Sequence, residues 1–250
     1  MLQEGALTFR EFAISEPLPL ATVHDAVMEF LQGRDDAALY GAQAVNAYVD
    51  QPRMTQDVDL LSTRAAALAE EIRQFLAGRF RIAIRVRTVA GGAAYRLYQL
   101  RGKKGSGAFS AQHPPGRSEG KKGSGAFSAQ HPPGRSGKRL LTPFSARHLV
   151  DVRHVAELPP CNRVEQILVL AAPELVARKV ISMTSRAKAP KGLIDAADLR
   201  RLLLSFPELR SNQGPVLGIL QAMAAPQRAL DAWQELLHED IVPDDDEEGY

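Results

Sequence analysis

The sequence predicts an α/β (α+β) fold, a mixed sheet flanked by helices and followed by a helical C-terminal domain. Three observations carry that reading. Arg81-Ile-Ala-Ile-Arg-Val-Arg-Thr88 alternates apolar and polar residues, the period of a half-buried strand. Residues 22–32 instead place Val23, Val27 and Phe30 at i, i+4 and i+7, the spacing of one helix face. From Pro173 onward, successive segments keep helical spacing and no strand pattern returns.

Composition bounds the class. At 250 residues the chain can bury a sizeable core. Its 45% hydrophobic and 24% charged content is that of an ordinary globular protein. No apolar run approaches the roughly 20 residues that span a bilayer. The first residues have neither a basic start nor a following apolar stretch, so no secretion signal is expected. Cys161 is the only cysteine, which excludes an internal disulfide and a cysteine-rich zinc site and fits a reducing, cytoplasmic setting. The overall charge of +2 conceals a local +6 between Gly102 and Lys138, which leaves −4 for the rest of the chain. Basicity therefore belongs to one segment.

The elements follow in order. An edge strand is expected near Leu7-Thr8-Phe9. Thr22 caps the helix over 22–32 and Gly33 ends it. A short apolar run stops at Gly41, a small-residue helical turn follows through Ala47, and Pro52 breaks the chain. Gln56-Asp57-Val58-Asp59-Leu60-Leu61 then alternates as a strand. Ser62-Thr63 caps a helix over 64–77, with Leu68, Ile72 and Phe75 on one face and Gly78 as its stop. After the strand that begins at Arg81 come a turn at Ala90-Gly-Gly-Ala93 and a hairpin partner at Tyr95-Arg-Leu-Tyr-Gln-Leu100.

A 17-residue segment, Gly102 to Ser118, then recurs identically as Gly120 to Ser136. Two copies rich in Gly, Ser and Pro do not make a solenoid, and identity without drift points to a recent tandem duplication. The segment reads as a flexible insertion in a hairpin loop, since lengthening a surface loop adds little closure cost. A single-strand nucleic-acid arm fits less well, because one Phe per copy is a poor stacking platform. With 102–138 excised, Arg147-His-Leu-Val-Asp-Val-Arg faces Tyr95–Arg101 as an antiparallel partner. His148 and His154, at even positions, fall on the face opposite Asp151 and read as surface residues. Pro159-Pro160 marks a boundary, and 164–170 reads as a last strand. Helices are then expected over 174–187, 193–206, 216–223 and 227–238, before an acidic tail from Pro243. The organisation expected is a core of residues 1–101 and 139–160, an insertion at 102–138, and a helical domain over 161–250.

Asp57 and Asp59 are two apart on a strand and so share a face, while Val58 and Leu60 turn to the core. Neighbouring carboxylates repel unless a cation lies between them, and an all-oxygen pair favours a hard ion such as Mg²⁺. Gly41, without a Cβ, lets backbone N–H groups approach a phosphate at a helix start. Asp151, flanked by Val150 and Val152, is costly on an interior strand unless paired or metal-bound.

Strand, Gly, short helix and Asp-x-Asp together resemble the minimal nucleotidyltransferase (polymerase-beta-like) superfamily. Arg53-Met-Thr-Gln-Asp-Val-Asp-Leu-Leu61 is especially similar to the AbiEii-like branch, which includes toxins of type IV toxin–antitoxin systems. The downstream Pro173-Glu-Leu-Val-Ala-Arg-Lys179 and Asp195-Ala-Ala-Asp198-Leu resemble that branch's downstream pattern, a Lys on a helix followed by an Arg/Lys cluster and Asp-x-x-Asp-Leu. This resemblance implies a nucleotidyltransferase-fold sheet and an enzyme that moves an NMP from an NTP to a hydroxyl acceptor. The acceptor it allows is a tRNA 3′ end, a protein or a small molecule. If the chain is a toxin, an antitoxin protein is the implied partner; no membrane partner is expected. Two Mg²⁺ ions would be held by Asp57, Asp59 and Asp151. Gly41 and Ala42 would hold nucleotide phosphates through backbone amides, Lys179 and Arg186 would contact the nucleotide, and Asp195 would stand in the active-site wall. Asp198 would orient local structure. The chain departs from the pattern twice: Ala42 replaces a second Gly or Ser, and Ile194 stands where a basic residue often precedes the Asp, with Lys191 nearby. These departures are what a non-catalytic nucleotide- or RNA-binding module on the same fold would show. A degraded gene product is a third reading, drawn from the tandem duplication.

Overall fold

The computed structural model describes residues 18–102 and 144–243. The expected strand near Leu7, the repeat beyond Gly102 and the acidic tail beyond Pro243 lie outside the described residues. The order of elements is α1 (Leu20–Leu31), β1 (Ala37–Tyr40), α2 (Ala42–Asn46), β2 (Val58–Ser62), α3 (Ala65–Phe80), β3 (Ile84–Val89), β4 (Ala94–Gly102) and β5 (Phe144–His154). There follow β6 (Cys161–Val164), β7 (Ile167–Leu170), α4 (Ala172–Ser185), α5 (Pro190–Ser205), α6 (Pro215–Ala222) and α7 (Gln227–His238). The strands form one mixed sheet in the order β3-β4-β5-β2-β1-β7-β6. β2 runs parallel to β5 and β1 parallel to β7, while the remaining neighbours are antiparallel.

The predicted architecture is present, with shifts that have physical causes. α1 begins two residues before Thr22, behind Pro19 at φ −53°. Proline's fixed φ and missing N–H suit a helix start, so Thr22 lies within the first turn. α3 runs through Gly78 to Phe80, which packs on the core, and Arg81 at φ 54° forms the left-handed cap. Arg81 therefore closes a helix where alternation alone assigned it to a strand. Ser62 does assist the start of α3, its Oγ accepting the N–H of Arg64 at 3.0 Å.

The single strand expected over 164–170 is a hairpin, β6 to β7, turning on Glu165 and Gln166 with φ of 47° and 69°. A two-residue turn with positive φ normally advertises itself through Gly or Asn, and neither is present here. The sheet consequently extends to Leu170, ten residues past the core boundary expected from Pro159-Pro160.

α3 packs along β2 to β5, and α1 packs on α3 and reaches β7. Val58, Leu60, Leu68, Ile72, Leu97, Val150 and Val152 are fully buried between these layers. At about 25 cal/mol per Å² of apolar surface removed from water, such side chains supply the main drive to fold. α4 packs against α5, α6 and α7, and Trp233 of α7 is fully buried in that cluster. No helix among the described residues is long and apolar enough to cross a membrane.

Candidate active site

The cleft between the sheet and α4–α5 has a volume of about 830 Å³. Gly41, Ala42, Asp57, Asp59, Lys179, Arg186 and Asp195 all line it; Asp151 lies just behind. The second half of the chain thus comes round to the strands that carry the Asp-x-Asp pair.

Local geometry fixes the floor. Tyr40, the last residue of β1, is the register partner of Asp59 on β2, and Asp59 is in turn the partner of Asp151 on β5. Gly41 follows at φ 75°, where L side chains are strained, and a Cβ there would lie 2.2 Å from Asp59 Oδ2. Only glycine fits. The close approach lays the Asp59 carboxylate directly on the backbone that starts α2. The loop from α2 to β2 is strapped by its own side chains: Asn46 Nδ2 donates to Arg53 O at 2.8 Å and Asn46 Oδ1 accepts from Arg53 N at 3.1 Å. Gln43 Nε2 donates to Thr55 Oγ1 at 2.6 Å.

The carboxylates differ in state. Burial, with the charge of Asp57 alongside, pushes the Asp59 carboxyl up to about 6. Asp57 is held below the usual range by the hydrogen bond from His148, which outweighs the opposing effect of burial. Asp151 is 4% exposed; one of its oxygens accepts from Arg96 Nε at 3.1 Å, and the buried Oδ1 has no partner. Among the described residues, no three His, Cys, Asp or Glu side chains are gathered as a ready metal-binding group. Asp57 leans to His148 and Asp151 to Arg96. What the residues offer a hard cation is a repelling pair, Asp57 and Asp59, and one orphaned carboxylate oxygen next to it. An all-oxygen set of this kind suits Mg²⁺.

His148 corrects the sequence reading. It was expected on the face away from Asp151, yet its Nδ1 lies 3.0 Å from Asp57 Oδ2. The cause is a bulge. Leu97 pairs with Val150 while Tyr98 pairs with His148, so β5 uses one residue more than β4 at this point. An extra residue shifts the alternation by one and moves His148 to the carboxylate face. Its Nε2 meets Val150 O at 3.1 Å, so both ring nitrogens face oxygen acceptors. Period-2 counting carries no signal for a bulge without a glycine.

Lys179 and Asp195 stand where the resemblance put them along the chain, but in a closed network. Lys179 is 6% exposed, and its Nζ donates to Asp195 Oδ1 at 2.9 Å and Asp198 Oδ2 at 2.6 Å. Arg53 grips Asp198 with two bonds, Nε to Oδ1 at 2.6 Å and Nη2 to Oδ2 at 2.8 Å. Asp195 Oδ2 accepts from Arg186 Nη2 at 2.6 Å and from Ser182 Oγ at 2.8 Å. Burial pushes the Asp198 carboxyl up, but the bonds from Arg53 and Lys179 prevail and hold it low. The local role expected of Asp198 is thus an anchor that ties the β2 approach loop to α4 and α5. Both departures from the family pattern are at the cleft: Ala42 and Ile194 line it, with Lys191 close to Asp57 and Asp59.

Among curated proteins, none matches the chain. Solved structures that resemble it include the polyadenylate synthase of Megavirus, at 10% identity and a TM-score of 0.48, covering 78% of this chain and 33% of that one. This chain thus spans about a third of the viral protein's length. An antigenic nucleotidyltransferase-like protein from Paracoccidioides brasiliensis aligns at 16% identity and a TM-score of 0.38, covering 89% and 91% of the two chains. JHP933 from Helicobacter pylori aligns at 11% identity and a TM-score of 0.45, covering 87% and 90%. The family model described as "Nucleotidyl transferase AbiEii toxin, Type IV TA system" matches residues 26–211. That match takes in both halves of the cleft and well over half of the sequence, and the chain belongs to the AbiEii nucleotidyl transferase toxin family.

Proposed function

We propose that this nucleotidyltransferase moves an NMP from an NTP to a hydroxyl acceptor with Mg²⁺, at the cleft floored by Asp57 and Asp59, with Asp151 beside Asp59 on the next strand. The observation that carries the reading is the Asp57–Asp59 pair laid against Gly41, with Asp151 Oδ1 left without a partner beside it. Unpaired buried carboxylates destabilise a fold, so an arrangement that keeps them together serves something other than stability.

Asp57 and Asp59, with Asp151 behind them, would hold the metal. Bound Mg²⁺ supplies Lewis acidity, lowering the pKa of the acceptor hydroxyl and neutralising charge on the triphosphate. The chain's own part is positioning. Backbone amides at Gly41 and Ala42 face the phosphates, and Lys191 adds positive charge near the aspartates. The acceptor oxygen bonds to the α-phosphorus, the bond to the β-phosphate oxygen breaks, and pyrophosphate departs while the hydroxyl proton is released. Lys179 and Arg186 act by fixing Asp195 and the cleft wall. The acceptor classes in view are a tRNA 3′ end, a protein hydroxyl and a small molecule, and the family implies a toxin whose antitoxin is a second protein.

The test is to incubate the purified chain with each labelled NTP, Mg²⁺ and total tRNA or cell extract, beside Asp57→Asn and Asp59→Asn. Label transferred by the wild type and reduced by about 100- to 1,000-fold or more in either variant is expected, in line with the loss of a main electrostatic group. Equal labelling by wild type and Asp59→Asn would sink the proposal. Mg²⁺ should also raise the wild-type melting temperature and leave that of Asp59→Asn unchanged.

A further inference from the structure

Apart from Lys191, whose charge acts on Asp57 and Asp59, the cations of the cleft fall into two groups. Lys179, Arg186 and Arg53 are each bonded to Asp195 or Asp198. Their charge is already matched inside the protein. Arg153 and Arg178 are placed differently. Arg153 follows Asp151 by two residues on β5 and shares its face of the sheet; it is exposed, and its guanidinium lies over the Tyr40 ring at 5.6 Å from the centroid. No carboxylate among the described residues forms an ion pair with it, and its charge acts on Asp59 from the neighbouring strand. Arg178 lies on α4 opposite. Its contact with Glu174 is long, 3.7 Å, and its buried Nε has no acceptor. The buried hydroxyl of Tyr40, between them, also has no partner. Three polar groups without full partners thus lie together, the Tyr40 hydroxyl and the two guanidiniums that flank it.

Resting on the reading of the cleft as an NTP site, we infer that Arg153 and Arg178, rather than the cations already bonded to carboxylates, supply the main grip on the triphosphate over Tyr40. The distinction matters for charge. A triphosphate brings several negative charges, and a guanidinium already bonded to a carboxylate has little to offer it. A guanidinium with open donors gives a two-point, charge-assisted grip on phosphate. Arg153 and Arg178 come from the sheet and from α4, so a ligand held by both also pins the helical region to the sheet. Tyr40 Oη donates to the same oxygens, and this supplies the bond that the buried hydroxyl lacks.

The experiment is titration calorimetry with inorganic tripolyphosphate, without Mg²⁺, on wild type, Arg153→Gln, Arg178→Gln and Arg178→Lys. Arg200→Gln, whose partner Glu239 lies outside the cleft, is the control. Each glutamine variant should bind about 10- to 100-fold more weakly, the range for loss of a charged hydrogen bond. Arg178→Lys should recover part of the loss, and the control should match wild type. Equal binding by wild type and both glutamine variants overturns the inference. The NTP-transfer assay separates the two readings. Transfer with unchanged KM for NTP in both variants overturns the role of these arginines and keeps the enzyme; arginine-dependent tripolyphosphate binding without any transfer does the reverse.

Discussion

Two clusters of carboxylates lie within the same cleft, and they are built on opposite principles. Asp195 and Asp198 are 4% and 0% exposed, and between them they meet Lys179, Arg53, Arg186 and Ser182. Asp57 and Asp59 face each other across one strand residue, Asp59 titrates at about 6, and Asp151 behind them keeps a buried oxygen without a partner. The residue type is the same in both. A satisfied network holds structure and has no charge to spare, whereas the Asp57–Asp59 pair, in which Asp57 is held by His148 alone, keeps a repulsion that a cation or a proton relieves. The difference separates scaffold from chemistry more sharply than residue identity does, and it is why Lys179 reads as part of the frame.

The largest expected effect on stability comes from breaking the scaffold. Asp198→Ala removes the shared partner of Lys179 and Arg53 and leaves buried positive charge uncompensated. A loss of about 3 to 5 kcal/mol is expected, read as a lower denaturant midpoint. A change below about 1 kcal/mol would mean that the network is ornamental. Gly41→Ala comes next. It places a Cβ against the Asp59 carboxylate at a backbone angle of φ 75°, and a cost of about 2 kcal/mol follows from the left-handed strain and the displaced side chain. Mg²⁺-dependent stabilisation should weaken with it, because Asp59 is pushed from its place.

Much of this was legible in the sequence, and the parts that were not have identifiable reasons. The Asp57–Asp59 face, Gly41 and the β4–β5 pairing across the insertion follow from period and glycine chemistry, which are local. The position of Asp151 beside Asp59 needed two strands to be neighbours, and its place in an apolar run already hinted at this. His148 was misplaced because a single bulged residue inverts alternation and leaves no mark in composition. The β6–β7 turn was hidden because Glu165 and Gln166 adopt positive φ without glycine. The carboxylate partners of Lys179 leave no mark in the sequence, because they lie 16 and 19 residues away on a different helix. Arg153 and Arg178 carry no motif. Their interest comes from what they fail to contact, and only a fold can show that.

The pH-dependent effect, which solvent screening reduces, tests the contrast most directly, because one chemical change should have opposite signs in the two clusters. Asp198→Asn weakens a matched network and destabilises at neutral pH. Asp59→Asn removes a charge the fold resists. In the metal-free protein the native Asp59 carboxyl titrates near 6 against an ordinary value of 3.8. Between those values the folded state keeps a proton that the unfolded chain has released, so stability falls as pH rises through this window. Above it the penalty is constant, about 2 to 3 kcal/mol before allowance for solvent. Asp59→Asn has no such term. Asp57, depressed by its hydrogen bond from His148, works in the other sense: its contribution is present above the unfolded value and is lost as pH drops through the lower folded one. Subtracting variant from wild type isolates Asp59. Chemical denaturation in EDTA should find the two equally stable near pH 4 and the variant more stable by pH 8, with the gap opening between. A variant that is less stable at pH 8 would place Asp59 in the scaffold with Asp198. Added Mg²⁺ should close the gap by raising wild type alone, since a cation between the carboxylates removes the repulsion that the asparagine removes by chemistry.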